Sequence, residues 1–381
     1  MDFTLTEEQR MLREMLRDFA DREMAPIIPV LERRGEYPGA IVRKLGDLGI
    51  LGMTIPEAYG GTAFDTVSIC LAMEEIARVC ASTAVTVSVH NSACAAPIAR
   101  FGTAAQKKQY LPRMARGEII GGFALTEPGT GSDAARLTAR AVRRGDRYIL
   151  NGTKSWITNA RIGGVYLVMA ATDPSAGRRG ISSFLVEPGM PGFSFGKDED
   201  KMGLRSSVTG MINLADCEVP AENLLGEEGM GLRVAFSTLD GGRIGIAAQA
   251  IGIARAAFEE ARRYAQVRHA FGGPIASFQA IKFMLADMAM EIDAARLLAW
   301  RAASRKDLVE SGGYGREAAM AKLYASEMAN RVCYRAVQVH GGYGYSKEYN
   351  VERFYRDARV TTIYEGTSEI QRVIIARGLL A

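Results

Sequence analysis

Close to the end of the chain, the run Tyr364-Glu365-Gly366-Thr367-Ser368-Glu369-Ile370-Gln371 combines a carboxylate, a glycine and the start of a helix. Thr367 has the chemistry of a helix cap, and Glu369 falls in the first turn, where the helix dipole favours negative charge. Gly366 removes side-chain bulk beside Glu365, so a ligand can approach the backbone closely there. Two readings are open for this segment: a structural cap and a catalytic carboxylate. A second chemistry-bearing stretch is Phe123 to Asp133, where a strand runs into a polar, glycine-rich loop. Such a loop either presents hydroxyls and backbone donors to a ligand or is an ordinary turn. Trp156-Ile157-Thr158-Asn159 offers either a core tryptophan or a platform for a flat ring, with packing the commoner role of a lone Trp.

Several other chemistries are disfavoured. No glycine run forms GxGxxG after a strand or a GxxxxGKS/T loop, and Gly341-Gly342-Tyr343-Gly344 follows a predicted helix, so a Rossmann assignment would be forced. Cys70, Cys80, Cys94, Cys217 and Cys333 are odd in number and lack metal or redox spacing. His90, His269 and His340 are far apart and form no zinc ligand series, so no metal is expected. Lys and Arg exceed Asp and Glu by 47 to 43, too even a balance to indicate a nucleic-acid binder. The start Asp2-Phe3-Thr4-Leu5-Thr6-Glu7-Glu8 lacks signal-peptide order, and no apolar run reaches membrane-spanning length. The expectation is a cytoplasmic or similarly reducing location without stable membrane insertion.

Three regions must position these residues. Residues 1–118 read as helices: Thr6 with Gln9 fits a capping box, and Leu12, Met15, Leu16 and Phe19 recur at helical spacing until Pro26. Further helices are predicted over about 40–48, 66–79, 81–100 and 103–116. In residues 119–228, β-prone segments alternate with glycine-bearing turns at 121–125, 147–150, 165–170, 181–186 and 211–214. The lack of long intervening helices favours a small antiparallel sheet or barrel. In residues 229–381 helical periodicity returns near Gly231, with long runs over 278–303 and 316–339 that suit a four-helix bundle. The fold class expected is multidomain α+β, in the order helical, antiparallel β, helical bundle.

Taken together, six stretches carry a family resemblance: Leu125 to Asp133, Lys154 to Asn159, Arg268 to Gly272, Val339 to Gly344, Tyr355 to Ala358, and Ile363 to Gln371. In order, and over essentially the whole chain, the sequence resembles the acyl-CoA dehydrogenase flavoproteins. That resemblance implies FAD as cofactor and an acyl-CoA as substrate. It implies that Glu365 abstracts the α proton while the β hydrogen leaves as hydride to flavin, giving a trans-2-enoyl-CoA. Some members carry the base on the helix after the β region, where this chain has Gly242, which cannot take a proton.

The resemblance also assigns supporting roles. Thr126, Trp156 and Thr158 match residues against the flavin, and Arg268 and Phe271 match contacts to its pyrophosphate or adenine half. Gln338, Gly342, Thr367 and Glu369 fall near the dinucleotide. Ser132, Asp240 and Arg243 match the CoA arm, with a helix-terminal ion pair as the plainer reading of Arg243; Gly366 flanks the thioester. His269 and His340 are left with local packing or flavin-edge contact. An electron-transfer flavoprotein and a homotetramer are implied as partners. The strings Leu239 to Ile246 and Phe283 to Ala289 look most like the butyryl and short branched-chain branches, implying a substrate of about four to six carbons. An acyl-CoA oxidase or flavin monooxygenase on the same scaffold, and a catalytically silent helical interaction module, are the alternatives.

Overall fold

A computed structural model describes residues 3–309 and 313–380; residues 1–2 and 381, at the outer ends of the first and third expected regions, lie outside it. The chain opens with α1 (Glu7–Phe19), α2 (Ile28–Arg34), α3 (Gly39–Asp47), α4 (Thr66–Val79), α5 (Ala81–Ser88), α6 (Ala96–Phe101) and α7 (Ala104–Ala115). The capping box at Thr6 forms in full, with Gln9 N–H donating to the Thr6 hydroxyl at 3.2 Å and Thr6 N–H to Gln9 Oε1 at 3.1 Å. α1 runs on through a π-helical segment, Ala20–Met24, and stops before Pro26. A second π-helical segment, Val89–Ala95, joins α5 to α6, which is why one apolar periodicity covers both.

Seven strands follow: β1 (Ile120–Ala124), β2 (Arg140–Arg144), β3 (Arg147–Thr158), β4 (Gly163–Ala171), β5 (Ile181–Val186), β6 (Phe193–Asp198) and β7 (Thr209–Pro220). They pair in the order β1-β4-β2-β3-β7-β6, with β5 also on β4. The expected antiparallel character holds for β2–β3, β3–β7, β4–β5 and β6–β7, but β1 lies parallel to β4, as does the single β2–β4 pairing, so the sheet is mixed. Parallel pairing of β1 and β4 needs a long connection, and residues 125–162, including β2 and β3, supply it. Along β4, Val165, Leu167 and Met169 face one apolar cluster and Tyr166, Val168 and Ala170 another. Both faces are covered, so this strand is apolar without alternation.

After a two-stranded hairpin, β8 (His269–Ala270) and β9 (Gly273–Pro274), the remaining elements are helical. They are α8 (Gly231–Val267, before the hairpin), α9 (Gln279–Leu308), α10 (Gly315–His340), α11 (Val351–Arg359) and α12 (Ser368–Leu380). At 37 residues, α8 extends about 55 Å and is the spine of the molecule. It contacts α9 and α10 on one side and α4 and α5 on the other. One apolar cluster therefore runs from Leu16 and Ile76 of the first region to Ala254 and Ala325 of the third. Alanines on α8 and α10 let their backbones approach closely. α11 and α12 pack against α10, so the C-terminal bundle has three long helices and two short ones, with α4 laid across α8 and α9.

Charge crosses this seam as well. Arg255 on α8 reaches Glu74 at 2.7 Å, and Arg296 on α9 reaches the same carboxylate at 2.9 Å. Burial works to raise the Glu74 carboxyl, but Arg296 and Arg255 outweigh it and hold it below its ordinary range. Among the described residues, no helix is long and apolar enough to cross a membrane.

Candidate active site

α11 ends in a 3-10 turn, Val360–Thr362, which returns the chain to the start of α12. There Glu365 takes a φ of 51° and Gly366 a φ of 94°. A left-handed glutamate is uncommon and costs about 1–3 kcal/mol, so the surroundings must impose it. They do: Gln371 Nε2 donates to the carbonyls of Glu365 at 3.3 Å and Gly366 at 2.8 Å, and Lys322 Nζ donates to Gly366 at 2.8 Å. Ile370 N–H donates to Thr367 Oγ1 at 3.4 Å, the cap read from the sequence. Gly366 has no room for a side chain, because a Cβ would stand 2.7 Å from Gln371 Nε2.

This turn aims the Glu365 side chain at α8, where it rests on Gly242. A Cβ at Gly242 would overlap Glu365 Oε2 and lie 2.8 Å from Cδ. Oε2 is buried and has no hydrogen-bond partner. Burial pushes the Glu365 carboxyl up to about 7, against the pull of Arg243 and Lys322. A carboxylate so placed has the proton affinity of a base that works near neutrality.

α8 also carries the polar groups around it. Arg243 is buried within the helix, not at its end, and pairs with Asp240 through Nη1 and Oδ1. The ion pair considered for Arg243 is therefore present, and its charge also acts on Glu365. One turn beyond Gly242, a Cβ at Gly245 would stand 2.9 Å from Ser88 Oγ. Two turns beyond, Gln249 is fully buried, accepts from Tyr364 Oη at 2.6 Å and donates to Ala81 O at 2.8 Å. Tyr364 is the residue before Glu365, so Gln249 ties the carboxylate-bearing turn to α5.

In the β region, Lys154 Nζ is fully buried and donates to Glu127 at 2.8 Å and to Leu125 O at 3.1 Å. Glu127 also accepts from Thr138 N–H and Ala139 N–H, and Ser155 N–H donates to Thr126 O at 3.0 Å. These bonds set Thr126 beside β3. Between Lys154 and Ile157 the ladder with β7 slips, and Trp156 takes a φ of 59° and is 59% exposed. The irregularity turns the indole outward, so the core-packing reading of Trp156 does not hold. Thr158 closes the strand opposite Thr209, and Ser132 is exposed in the loop after β1.

A third group lies at the end of α8 and α10. Arg268, Gln338 and Gly342 line a cleft of about 660 Å³ with Tyr264, His340 and Tyr343. The Arg268 guanidinium stands 5.5 Å over the Tyr343 ring. Phe271, at the hairpin tip with a φ of 49°, is 98% exposed. Thus Glu365, Gly366 and Thr367 form one turn, and Arg243 and Asp240 lie on the stretch of α8 that it meets. Thr126, Trp156 and Thr158 gather at the sheet, and Arg268, Gln338 and Gly342 at the cleft. Glu369 is exposed in the first turn of α12. An outward indole, a buried Ser155 hydroxyl without a partner and an accessible guanidinium fit a flat ring joined to a diphosphate.

Each histidine bonds a backbone carbonyl. His90 is buried, its Nδ1 accepting from Gly121 N–H and its Nε2 bonding Leu51 O, and burial lowers its pKa to about 4. His340 stacks on Tyr264 with centroids 4.3 Å apart, and exposed His269 bonds Val267 O. All five cysteines are free and buried, and no candidate metal cluster occurs among the described residues. The sequence reading passed over Gln249 and Lys322. The available signal for both was a polar residue on the apolar stripe of an alanine-rich helix.

Comparison with known proteins bears on this arrangement directly. Three family models match: the acyl-CoA dehydrogenase N-terminal domain at 6–118, the middle domain at 122–217 and the C-terminal domain at 229–380. The chain belongs to the acyl-CoA dehydrogenase family. It is 50% identical over 376 residues to the mitochondrial short-chain specific acyl-CoA dehydrogenase of Mus musculus, covering 99% of this chain and 91% of that one. It is 46% identical to the short-chain specific acyl-CoA dehydrogenase of Clostridium acetobutylicum, covering 99% of each. Among solved structures, butyryl-CoA dehydrogenase from Megasphaera elsdenii superposes with a TM-score of 0.97 at 46% identity, covering 100% of both chains. A chain in a structure described as the electron transferring flavoprotein of Acidaminococcus fermentans gives 0.98 at 48%, again covering 100% of both. An acyl-CoA dehydrogenase from Bacillus anthracis complexed with FAD gives 0.92 at 36%, covering 99% of this chain and 67% of that one. As a member of this family, the protein is an FAD-dependent oxidoreductase of the acyl-CoA dehydrogenase type.

Proposed function

We propose that the protein dehydrogenates a short acyl-CoA between its α and β carbons, with Glu365 as the base. The observation that carries this reading is the Glu365 carboxylate seated on Gly242, with a buried oxygen that no protein group satisfies. A group held ionisable near neutrality and left unpaired is placed to take a proton from carbon. The backbone N–H of Glu365 is suited to the enolate oxygen that develops, and the left-handed turn fixes its direction. Arg243 and Lys322 oppose the burial that keeps the carboxyl protonated, so the base is available at neutral pH. FAD, when bound, supplies the acceptor for the β hydrogen as hydride. We assign its retention to Thr126, Trp156, Thr158, Arg268, Phe271, Gln338, Gly342, Thr367 and Glu369, and the CoA arm to Ser132, Asp240 and Arg243. Gly366 we place beside the thioester, its left-handed φ letting the turn form there.

We infer a short acyl group, with α8 as the wall along which it lies. Two turns past Gly242, about 10 Å of helix rise, the Gln249–Tyr364 bond crosses the helix face, and we take it as the floor of a site for about four to six carbons. The short-chain and butyryl names of the relatives favour the same choice. Exposure of Phe271 and of the Arg268 cleft fits a cofactor shared between subunits of a homotetramer. An electron-transfer flavoprotein is the redox partner we infer, in line with the Acidaminococcus structure. Fatty-acid or branched-chain amino-acid breakdown would use this reaction, and a cytoplasmic location would suit it.

The test is an anaerobic titration of FAD-bound protein with butyryl-CoA, followed by flavin absorbance. Rapid bleaching that Glu365→Gln abolishes while retaining FAD is the expected result. No bleaching with straight, branched or cyclic short acyl-CoAs would overturn the reading. Fast reoxidation by oxygen would instead identify an oxidase on the same scaffold.

A further inference from the structure

We propose that Lys322 is a positioning residue for Glu365: its ammonium grips the Glu365–Gly366 turn and sets a positive charge near the carboxylate. The inference rests on Glu365 being the base. Lys322 lies on α10, on the stripe that includes Ala318, Ala325 and Ala329, and it is fully buried. Its Nζ donates to Gly366 O at 2.8 Å, and among the described residues no carboxylate lies within ion-pair distance of it. Burying an ammonium without an ion pair is expensive. Anchoring the turn does not require that expense, since the neutral Gln371 amide already donates to the same carbonyl at 2.8 Å. What the lysine adds over a second amide is charge.

The groups facing Lys322 come from every side of the turn. They are Glu365 itself, Arg243 from α8, Glu327 from α10 and Glu369 from α12. Glu327 accepts from Ser368 Oγ at 2.7 Å and lies 3.8 Å from Arg372, while Glu369 is exposed. Arg243 is engaged by Asp240, and Tyr364 by Gln249. Glu365, whose Oε2 is shielded from solvent, is therefore the carboxylate left for Lys322 to act on. Burial lowers Lys322 to about 8, with Glu365 opposing that fall, while burial raises Glu365 to about 7, with Arg243 and Lys322 opposing the rise. Removing the ammonium strips the carboxylate of one of its two cations, so its proton affinity must increase.

The experiment uses FAD-bound wild type, Lys322→Gln, Lys322→Arg and Glu365→Gln. Flavin bleaching by butyryl-CoA is timed across pH under anaerobic conditions. Independently, the protonated Glu365 carboxyl is titrated by its infrared band, assigned by its loss in Glu365→Gln. Lys322→Gln keeps a donor for Gly366 and loses the charge. It is expected to move both midpoints up by about one pH unit, making bleaching about tenfold slower below the wild-type midpoint. Lys322→Arg should retain the wild-type midpoints. Unchanged midpoints in Lys322→Gln, or an upward shift in Lys322→Arg, would overturn the proposal. Should Lys322→Gln not fold, Lys322→Met, which extends the apolar stripe, carries the same comparison. Bleaching that survives Glu365→Gln would sink the dehydrogenation reading instead, and the infrared midpoint would still decide the role of Lys322.

Discussion

The carboxylate of Glu365 occupies the space that a side chain at Gly242 would fill. Two positions far apart in sequence thus share one volume, and only one of them can carry an acidic side chain. Glycine inside a long helix costs about 0.5–1 kcal/mol relative to alanine, and this contact explains why it stands at 242. Gly242→Ala is expected to leave folding intact, displace the Glu365 carboxyl and slow flavin reduction by butyryl-CoA about 100-fold. Stopped-flow absorbance checks it, and a wild-type rate would show that the carboxylate position is not critical.

Glu365 should also impose opposite pH trends on activity and stability. Its carboxyl is raised to about 7 by burial, above the ordinary value it regains on unfolding. The stability associated with the proton is present below the unfolded value and lost as pH rises through about 7. Over the same window kcat/KM rises, because the base must be ionised. Replacing Glu365 by Gln removes the titration, so the melting-temperature gain of the variant over wild type should be small near pH 5 and larger near pH 8. A gain independent of pH would contradict the raised pKa.

Gln249 sets the depth of the acyl site in this reading. Gln249→Ala deletes the bond to Tyr364 and opens space two turns from Gly242. The ratio of kcat/KM for octanoyl-CoA over butyryl-CoA should rise about tenfold. Steady-state rates with the two thioesters decide it, and an unchanged ratio would place the floor of the site elsewhere.

Arg255 joins α8 to α4 through Glu74 and Glu75 in a setting with little solvent. Arg255→Met leaves two buried carboxylates with fewer partners and should cost about 3–5 kcal/mol, read as a lower melting temperature by calorimetry. Adding Glu75→Gln should recover part of the loss. No recovery would mean that packing, not stranded charge, sets the cost.

Local periodicity carried much of the fold. The helices at 66–79 and 104–115 and the strand at 181–186 follow patterns a few residues long. β2 escaped because Arg140 to Arg144 is mostly charged, with Val142 exposed, so it lacks the inward-facing alternation of a strand. The parallel seat of β1 escaped because pairing across distant segments leaves no local mark. At the site, the glycine after Glu365 and the cap at Thr367 were readable from neighbours in sequence. Trp156 was not, because its exposure depends on a slip in the ladder between β3 and β7. Lys322 and Gln249 obey helical spacing, and nothing in that spacing says that a polar member of the stripe faces a functional turn.

The apolar cluster that runs from α1 and α4 into α8 and α10 has a consequence for biosynthesis. Ile76 emerges from the ribosome with the α8 and α10 part of its cluster still untranslated, and Glu74 and Glu75 emerge without Arg255 and Arg296. The first seven helices emerge before the α8 and α10 surface that completes this cluster, and the nascent chain must keep that face covered until α8 is synthesised. A ribosome stalled before residue 231 would therefore hold a chain open to chaperones and proteases, and one stalled after α10 would hold a chain whose core can close.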